Sequence, residues 1–269
     1  MTQTPSPVFA PTITLLAKTE VTPEGRDKMK AFYSAARATQ DRDFDPGPQE
    51  LIEFAGRKCY DADGRKNSET STAEGYLGNI IEQRHFSVLE HVSYTFQVDG
   101  ISRACSHEWV RHRHGSYSQQ SQRFVLATKH SEVVIPPAIQ PLLWEGDFSG
   151  DPLKYSEILQ DILFAHEENY ERYEFFYQDL RDRREVDHKQ ASEAARCFIP
   201  NAAATDLTVT GNVRYWMEFI SKRDADGADA EIRIAAQEIE DVLIKELPEV
   251  FSPEARALWS EDSVQKGVK

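Results

Sequence analysis

Residues 92–98 constrain the fold most strongly, because apolar and polar side chains alternate there along the chain. This alternation predicts a strand with one buried face, and Asp99-Gly100 is predicted to close it with a turn. Apolar residues recur at helical spacing on either side, at residues 76–81 and 213–220. The patterns together predict an α+β fold: a single mixed domain, residues 1–269, with an antiparallel-type sheet packed with long helices.

Weaker patterns predict the remaining elements. Residues 1–11, rich in Pro, Thr and Ser, are predicted to form a loose leader, and residues 20–48 a surface insertion. Ser71 is expected to cap a helix, with Glu74 completing a capping box and Thr70 as the alternative cap. The other expected elements are strands at residues 12–17, 133–135 and 207–210 and helices at residues 26–40, 50–64, 101–113, 155–181, 189–199 and 228–247.

The net charge argues against several classes of partner. With 31 basic and 45 acidic residues the chain carries −14 at pH 7, whereas broad binding to nucleic acid or to anionic membranes needs a basic surface. No apolar stretch approaches the roughly 20 residues of a membrane helix, and residues 1–11 lack the pattern of a signal peptide. Three cysteines without a CxxC spacing predict neither a disulfide framework nor a zinc ribbon. The protein is expected to be soluble and cytoplasmic.

Residues 111–123 are the strongest candidate for a binding segment. They contain three arginines, two histidines and three serines but no carboxylate, in a chain that is acidic overall. Arginine forks match phosphate and carboxylate oxygens, and serine and glutamine can hydrogen-bond to sugars and bases. Composition leaves two interpretations open, a solvated basic face and a pocket for an anionic, polar small molecule. If the preceding helix continues to Arg113, Arg111 and Arg113 point about 200° apart, which favours two ligands that meet at this segment.

Two other constellations favour ordinary structural roles. His107-Glu108 resembles the start of a zinc HExxH motif, but Arg111 stands at the position of the second histidine. No metal site is therefore predicted. Cys105 and Cys197 lie on predicted apolar helix faces and are interpreted as core residues, because a buried thiol usually behaves as a small apolar group.

Three residues near helix ends could also serve a ligand. Asn212 is expected to cap a helix, whose free N–H groups could meet a phosphate. Arg196 and Arg223 each lie near the end of a predicted helix, where the helix dipole favours a cation. Structural capping explains each of them alone. They indicate a site only if the fold gathers them with Arg111 and Arg123.

One spacing in the binding segment resembles the signature of a known family. Arg111-His112-Arg113, seven residues and then Ser121 match the RHR-x7-S pattern of the flavin-dependent thymidylate synthases. The resemblance covers about residues 50–245, and the signature is specific. Further matching blocks are residues 85–91, 101–103, 200–202, 210–212 and 231–233.

The resemblance implies an enzyme that methylates dUMP reductively to dTMP. It implies FAD as the cofactor, methylenetetrahydrofolate as the one-carbon donor, NADPH as the reductant, and a homotetramer whose active sites draw on several subunits. In such an enzyme the reduced flavin supplies the hydride, so the protein mainly positions and polarises the reactants. Uracil C5 becomes a better nucleophile when negative charge on the pyrimidine is stabilised.

The resemblance also implies a set of site residues. Three of them are catalytic: Arg223 would contact the uracil, Ser121 would hydrogen-bond to the pyrimidine, and His85 would lie near the flavin and the folate. The residues implied for dUMP are Glu108, Trp109, Val110, Arg111, Gln119, Gln120, Ser121, Gln122, Arg123, Arg196 and Arg223. The residues implied for FAD are Ser87, Arg111, His112, Arg113, Gln119, Asn212, Val213, Arg214 and Glu218.

Two positions depart from the family pattern. Glu218 stands where relatives often have His or Asn against the flavin, and Gly227 stands where a His is common. These departures keep open a second interpretation, a catalytically inert module that binds nucleotide or flavin without turnover. An RNA-binding role for residues 111–123 is a third interpretation, and the acidic net charge argues against it.

Overall fold

A four-stranded antiparallel sheet lies at the centre of the computed structural model, which describes residues 5–36, 46–59, 70, 72–127, 132–144 and 157–260. The strands, in spatial order, are β2 (Thr12–Lys18), β3 (Ser93–Ser102), β6 (Ala204–Asn212) and β4 (Ser116–Gln119). Two further strands, β1 (Ser6–Val8) and β5 (Glu132–Val134), pair in parallel. The prediction of a loose leader is therefore wrong for Ser6–Val8, and residues 1–4 lie outside the described part of the chain.

Helices pack around this sheet, which confirms the predicted α+β class. They are α1 (Pro23–Ala36), α2 (Pro48–Cys59), α3 (Ala73–Glu82), α4 (Arg103–Trp109), α5 (Glu157–Gln178), α6 (His188–Ala195), α7 (Val213–Arg223), α8 (Ala230–Glu246), α9 (Pro248–Phe251) and α10 (Pro253–Trp259). None of these described helices has the length and apolar character needed to cross a membrane.

The alternation predicted for β3 is confirmed by its burial. Tyr94, Phe96 and Val98 are fully buried, while the residues between them are partly exposed. The buried face packs against α7, where the rings of Phe96 and Trp216 meet edge to face at 5.0 Å. Burial of large aromatic side chains is a major source of stability, so this contact holds the helix that carries Arg223 firmly on the sheet.

Strand β3 does not end where the sequence predicts. Asp99-Gly100 was expected to close it, but pairing with β6 resumes at Ile101 after a shift of register between Val98 and Ile101. Gly100 has a φ of 72°, a left-handed conformation that glycine adopts without a steric penalty. The pair therefore forms a bulge inside the strand rather than a turn.

Helix α3 begins one residue later than predicted. Its N-cap is Thr72, whose hydroxyl accepts a hydrogen bond from the backbone N–H of Gly75 at 3.1 Å. The predicted capping box of Ser71 and Glu74 is wrong, because the third residue after the true cap is a glycine, which has no side chain to complete the box.

Helix α4 is shorter than the predicted helix at residues 101–113. Ile101 belongs to β3, and Ser102 caps the helix by accepting a hydrogen bond from Cys105 N at 3.0 Å. At the other end the backbone N–H groups of Arg111 and His112 bond to carbonyls three residues earlier, which tightens the chain into turns. Arg111 and Arg113 therefore lie beyond the helix, and the predicted angle of about 200° between them does not apply.

The other predicted elements differ mainly in their bounds. The predicted helix at residues 26–40 begins at Pro23, and residues 37–45 and 60–69 lie outside the described ranges. The predicted four-residue strand at 207–210 is part of the nine-residue β6. Two short helices, α9 and α10, were not predicted, although each begins with a proline at its first helical position, a common helix-start signal.

Candidate active site

Residues 111–123 contribute to two clefts. The first, called here the large cleft, has a volume of about 750 Å³ and is lined by residues that include Arg103, His107, Gln119, Gln122, Arg196 and Asn201. The second, called the polar cleft, has a volume of about 260 Å³ and is lined by Glu90, His114, Asn212, Arg214, Tyr215 and Glu218.

The junction of β3 and α4 is held by a carboxylate from α8. Glu231 accepts hydrogen bonds from the backbone N–H of Ser102 at 2.6 Å and from its hydroxyl at 2.7 Å. The same serine caps α4, so Glu231 fixes the start of the helix that carries Glu108. Hydrogen bonds to a charged acceptor are stronger than neutral ones, which makes this a rigid support.

Arg223, at the C-terminal end of α7, makes three hydrogen bonds to the segment that contains Glu108 and His112. Its Nε donates to His112 Nε2 at 2.8 Å, and Nη1 donates to Glu108 Oε2 at 2.6 Å. Its Nη2 donates to the Glu108 carbonyl oxygen at 3.2 Å. A guanidinium has five N–H groups, so two remain for a ligand, in an orientation that the other three determine.

The protonation of His112 suits this arrangement. Burial, together with the positive charges of Arg223 and Lys222, lowers the pKa of His112 to about 4, with Glu218 opposing the shift. The ring is therefore neutral near pH 7, and its Nε2 lone pair can accept the proton of Arg223 Nε. Burial also raises the pKa of Glu108, with Asp229 adding to the effect and Arg223 opposing it.

Two arginines, Arg103 and Arg196, give the large cleft a positive wall, although the carboxylate of Glu193 also lines it. Arg103 donates from Nη2 to the Gln120 carbonyl oxygen at 2.8 Å, while its Nε is buried without a partner among the described residues. Burial lowers the pKa of Arg103, and the neighbouring charge of Arg196 contributes to the lowering. An anion such as phosphate in this cleft would stabilise the two guanidinium groups.

The polar cleft lies over a network of tyrosines. Tyr215 accepts a hydrogen bond from Trp109 Nε1 at 3.2 Å, and its hydroxyl lies 3.0 Å from that of Tyr117. A Cβ atom on Gly211 would meet Tyr215 Cδ1 at 2.0 Å, so only glycine leaves space for this ring. Asn212 accepts from Tyr215 N at 2.9 Å as the cap of α7, which confirms its predicted capping role.

The chain matches a family model over most of its length. The model, described as "Thymidylate synthase complementing protein", matches residues 42–249. This chain belongs to the flavin-dependent thymidylate synthase family. A protein of that name from Mycobacterium tuberculosis (strain ATCC 25618 / H37Rv) is 44% identical over 218 residues, which are 78% of this chain and 80% of the relative. One from Mycolicibacterium vanbaalenii is 43% identical over 208 residues, 77% of this chain and 79% of the relative.

The fold of this protein is also found in a solved structure. The crystal structure of the UMP/dUMP methylase PolB from Streptomyces cacaoi, bound with 5-Br UMP, superimposes with a TM-score of 0.65. It is 22% identical and covers 96% of this chain and 99% of its own. At this identity the likeness concerns the fold.

The residues predicted to hold dUMP fall into two groups in this family member. Val110, Gln119, Gln122 and Arg196 line the large cleft, where the Gln119 amide also donates to Ser106 Oγ at 2.7 Å. Glu108 and Arg223 bind each other instead and are not among the described residues that line this cleft. The remaining residues predicted for dUMP, Trp109, Arg111, Gln120, Ser121 and Arg123, are also not among them.

Among the residues predicted for dUMP, Trp109 has a side chain that packs in the core. It is fully buried and stacks on Phe219 with ring centroids 4.6 Å apart. Its indole N–H is already used by Tyr215. A ligand could therefore reach only the backbone of Trp109.

The residues predicted to hold FAD are also spread over more than one surface, and Gln119 of this set lines the large cleft. Asn212, Arg214 and Glu218 line the polar cleft, and Arg214 Nη1 donates to Glu90 at 2.6 Å. Val213 and His112 are buried, whereas Ser87 and Arg113 are exposed. Among the described residues, the guanidinium groups of Arg111 and Arg113 have no hydrogen-bond or ion-pair partner. Both remain available to a ligand.

Two predicted catalytic residues are exposed to different degrees. His85 is exposed and directly precedes the short helix Phe86–His91. Ser121 is partly exposed, and its hydroxyl accepts from the Arg123 backbone N–H at 3.3 Å. No described basic side chain bonds to this hydroxyl, so it lacks the base that a serine nucleophile needs.

Four residues of the site are not indicated, or are misplaced, by the sequence patterns. Arg103 and Glu231 lie in matching blocks but are not among the predicted site residues, and neither is Tyr215. Cys197 was interpreted as a core residue, which is wrong: it is exposed and lines the large cleft, because the helix α6 ends before it. Cys105 is buried as predicted, and burial raises the pKa of its thiol.

Proposed function

We propose that this protein forms dTMP from dUMP by reductive methylation, with methylenetetrahydrofolate as the one-carbon donor and NADPH-reduced FAD as the hydride source. The observation that carries the proposal is the Arg223 guanidinium, which is held by Glu108 and neutral His112 and keeps two donors for a ligand. Family membership supports the reaction type.

Arg223 would stabilise negative charge on the uracil ring. The two N–H groups that remain would bond to a pyrimidine carbonyl and the adjacent ring nitrogen, which favours loss of the proton from N3. The resulting charge makes C5 a better nucleophile toward the one-carbon unit. Glu108 and His112 orient the guanidinium before dUMP arrives, so little reorganisation is needed in the reaction.

The phosphate of dUMP would be bound by the positive wall of the large cleft. Arg196 is exposed there, and Arg103 lines the same cleft. The neutral amides of Gln119 and Gln122 line the same cleft and could read the sugar. Such a local pocket is needed because the net charge of −14 repels anions at long range.

The side chains around the polar cleft fit FAD. Arg214 and the amide group of Asn212 line this cleft. Together with the exposed Arg113, they would supply the cationic and neutral donors that a pyrophosphate requires. Ser87, Arg111, His112, Gln119 and Val213 would complete the site, and His85 would lie near the flavin and folate. When bound, FAD would supply hydride chemistry that no amino-acid side chain provides.

Glu218 is the residue of this set that fits the flavin least simply. Lys222 donates to it at 2.5 Å, and this hydrogen bond lowers the pKa of the Glu218 carboxyl. Glu218 is therefore a carboxylate near neutral pH and can only accept hydrogen bonds. It can accept a hydrogen bond from a flavin N–H group, but it cannot donate one as a protonated His or an Asn does.

We further propose that the protein is a homotetramer with shared active sites. In one chain Arg196 faces the large cleft, whereas Arg223 and Glu108 are not among the residues that line it. A single dUMP could use both groups if a neighbouring subunit contributed one of them. Sedimentation or light scattering would test the tetramer, since a monomer with full activity would contradict it.

One experiment separates this enzyme from an inert binding module. The purified protein is examined for flavin absorbance, and NADPH oxidation and dTMP formation are then measured with and without dUMP. We expect a yellow protein whose dTMP formation requires dUMP and methylenetetrahydrofolate. A yellow protein that binds dUMP but forms no dTMP would favour the inert module, and a colourless protein indifferent to dUMP would refute both.

A further inference from the structure

Three charged side chains meet at the end of α7, directly after Arg223. Arg256 of α10 donates from Nη2 to Asp224 Oδ2 at 2.6 Å and from Nη1 to Glu240 Oε2. Gln237 of α8 donates to the other oxygen of Asp224 at 2.7 Å. We call Arg256, Asp224 and Glu240 the Arg256 cluster. Its side chains are only 23%, 14% and 9% exposed, so water screens their interactions far less than at the surface.

The Arg256 cluster fixes the backbone next to Arg223. Asp224 is the C-cap of α7, and its N–H donates to the Ile220 carbonyl oxygen. Holding the Asp224 carboxylate in place therefore holds the last turn of α7, from which the Arg223 side chain projects. The guanidinium end of Arg223 is held independently by Glu108 and His112.

The helix that carries Arg256 also reaches the ligand clefts. Trp259 of α10 lines a third cleft of about 260 Å³ together with Arg84, Arg214 and Glu218, and the last two of these also line the polar cleft. The match to the family model ends at residue 249. Helix α10 therefore lies outside the matched residues. Even so, its Arg256 bonds to Asp224 beside Arg223, and its Trp259 lines a cleft with Arg214 and Glu218.

We propose that Arg256 is a positioning residue for Arg223, and that α10 is thereby a working part of the dUMP site. This inference rests on the proposed function, because it takes from it that Arg223 binds dUMP. Arg256 touches no substrate. It acts by holding Asp224, so that the two free donors of Arg223 point where the uracil binds.

The charge of Glu240 should change how strongly Arg256 holds Asp224. Burial raises the pKa of Glu240 to about 7, with Asp224 of α7 and Asp241 of α8 adding to the effect and Arg256 of α10 opposing it. Below pH 7 Glu240 is protonated, and Arg256 pairs ionically with Asp224 alone. Above pH 7 two carboxylates share one guanidinium and repel each other, so the hold on Asp224 weakens.

The test compares three variants of the cluster with a matched control. Arg256→Met removes the cation with little loss of volume, Arg256→Lys retains the charge, and Glu240→Gln removes the titrating carboxyl. Lys18→Met is the control, because it also removes a 2.6 Å ion pair to α8, with Glu246, away from the cluster. For each protein we would measure flavin content, melting temperature, dUMP affinity by calorimetry, and kcat and KM for dTMP formation.

We expect Arg256→Met to weaken dUMP binding by roughly tenfold, equivalent to about 1.4 kcal/mol, with flavin content unchanged. Arg256→Lys should recover part of the affinity, and Lys18→Met should bind dUMP as the wild type does. The dissociation constant of dUMP for the wild type, divided by that for Glu240→Gln, should rise from about pH 6 to about pH 8, because Glu240 ionises only in the wild type. The ratio is used because the titration of dUMP itself cancels in it.

Each failure has a distinct meaning. Wild-type dUMP affinity in Arg256→Met, or a loss that Lys18→Met shares, would overturn the positioning role. If Arg256→Met does not fold, Glu240→Gln decides, and a ratio that stays flat with pH overturns the proposal. A wild-type protein that binds no dUMP would refute the proposed function itself, whereas an active wild type with unaffected variants would refute only this inference.

Discussion

At the scale of single residues, the site depends on groups that orient one another. The direction of the Arg223 guanidinium is set by the neutral ring of His112 on one edge and the carboxylate of Glu108 on the other. His112 stays neutral because burial disfavours its charged form. Glu231 orients the next element in the same way, because it accepts two hydrogen bonds from Ser102 at the start of α4.

Replacing Arg223 tests the group that we assign to the uracil. Arg223→Ala should abolish dTMP formation while flavin stays bound, because the polar cleft does not include this side chain. A loss of at least about a hundredfold in kcat/KM is expected for a stabiliser of developing charge. Arg172→Ala, on the exposed face of α5, is the control, and unchanged turnover in Arg223→Ala would refute the assigned role.

A second prediction at this scale concerns His166. Its Nε2 is buried without a partner among the described residues, and burial lowers the pKa of His166 to about 4. In the unfolded chain the pKa is near 6.5, so the unfolded state binds the proton first as pH falls. The folded state should lose up to about 3 kcal/mol of stability from this residue between pH 6.5 and pH 4.

His166→Gln should reduce that dependence on pH. Urea unfolding of both proteins would be measured at about pH 7 and about pH 4.5, with the neutral value serving as the check that the variant folds. His112 titrates in the same range, so some slope should remain. A variant with the full wild-type slope would show that His166 does not contribute.

At the scale of elements, short-range patterns predicted which segments are helices and strands, but tertiary contacts decided where they end. Strand β3 continues through Gly100 because its partner β6 is long enough to pair with it on both sides of the bulge. Helix α4 ends at Trp109, where the Glu108 carbonyl oxygen accepts from Arg223. Neither contact can be seen in the sequence near the affected residue.

The bulge gives a prediction with opposite signs at two glycines. Gly100→Ala should destabilise the protein by about 1–2 kcal/mol, because an L-residue is strained at a φ of 72° and the added Cβ would meet Val8 Cγ1 at 3.1 Å. Gly78→Ala, within α3 and with nothing within 4 Å, should stabilise it by up to about 1 kcal/mol. Urea unfolding of both variants would measure the two changes, and a stabilised Gly100→Ala would contradict the bulge.

At the scale of the whole molecule, the predicted dUMP residues are divided between surfaces. Arg196 lines the large cleft with Gln119 and Gln122, while Arg223 is tied to Glu108 outside its lining. A large acidic protein can bind an anion only where such local positive groups combine. The proposed assembly of subunits would bring both groups to one nucleotide.

Mixing of inactive variants tests this arrangement. Arg196→Ala and Arg223→Ala should each be inactive alone, but co-expressed or reassociated subunits should regain dTMP formation, because some sites would receive both intact arginines. Activity assays on the mixture and on each variant alone measure the effect. Mixtures as inactive as the separate variants, with subunit exchange verified by mass spectrometry, would mean that one chain supplies both arginines.

The sequence by itself determined the family, the reaction that the family implies and the central strand. The RHR-x7-S spacing and the alternation at residues 92–98 are local patterns. Such patterns can be read from the sequence because they are formed by residues that are close together in the chain. They also indicated Asn212 as a cap. They failed for the leader at Ser6–Val8, whose partner β5 is far along the chain.

Only the tertiary structure decided how the site is supported. Arg223 meets His112 and Glu108 across 111 and 115 positions of sequence, and Arg256 reaches Asp224 from a helix that no pattern predicted. Cys197 is exposed rather than buried because a helix ends one turn early. Burial, charge and the direction of a donor are set by residues distant in the chain, and these are the quantities on which binding and protonation depend.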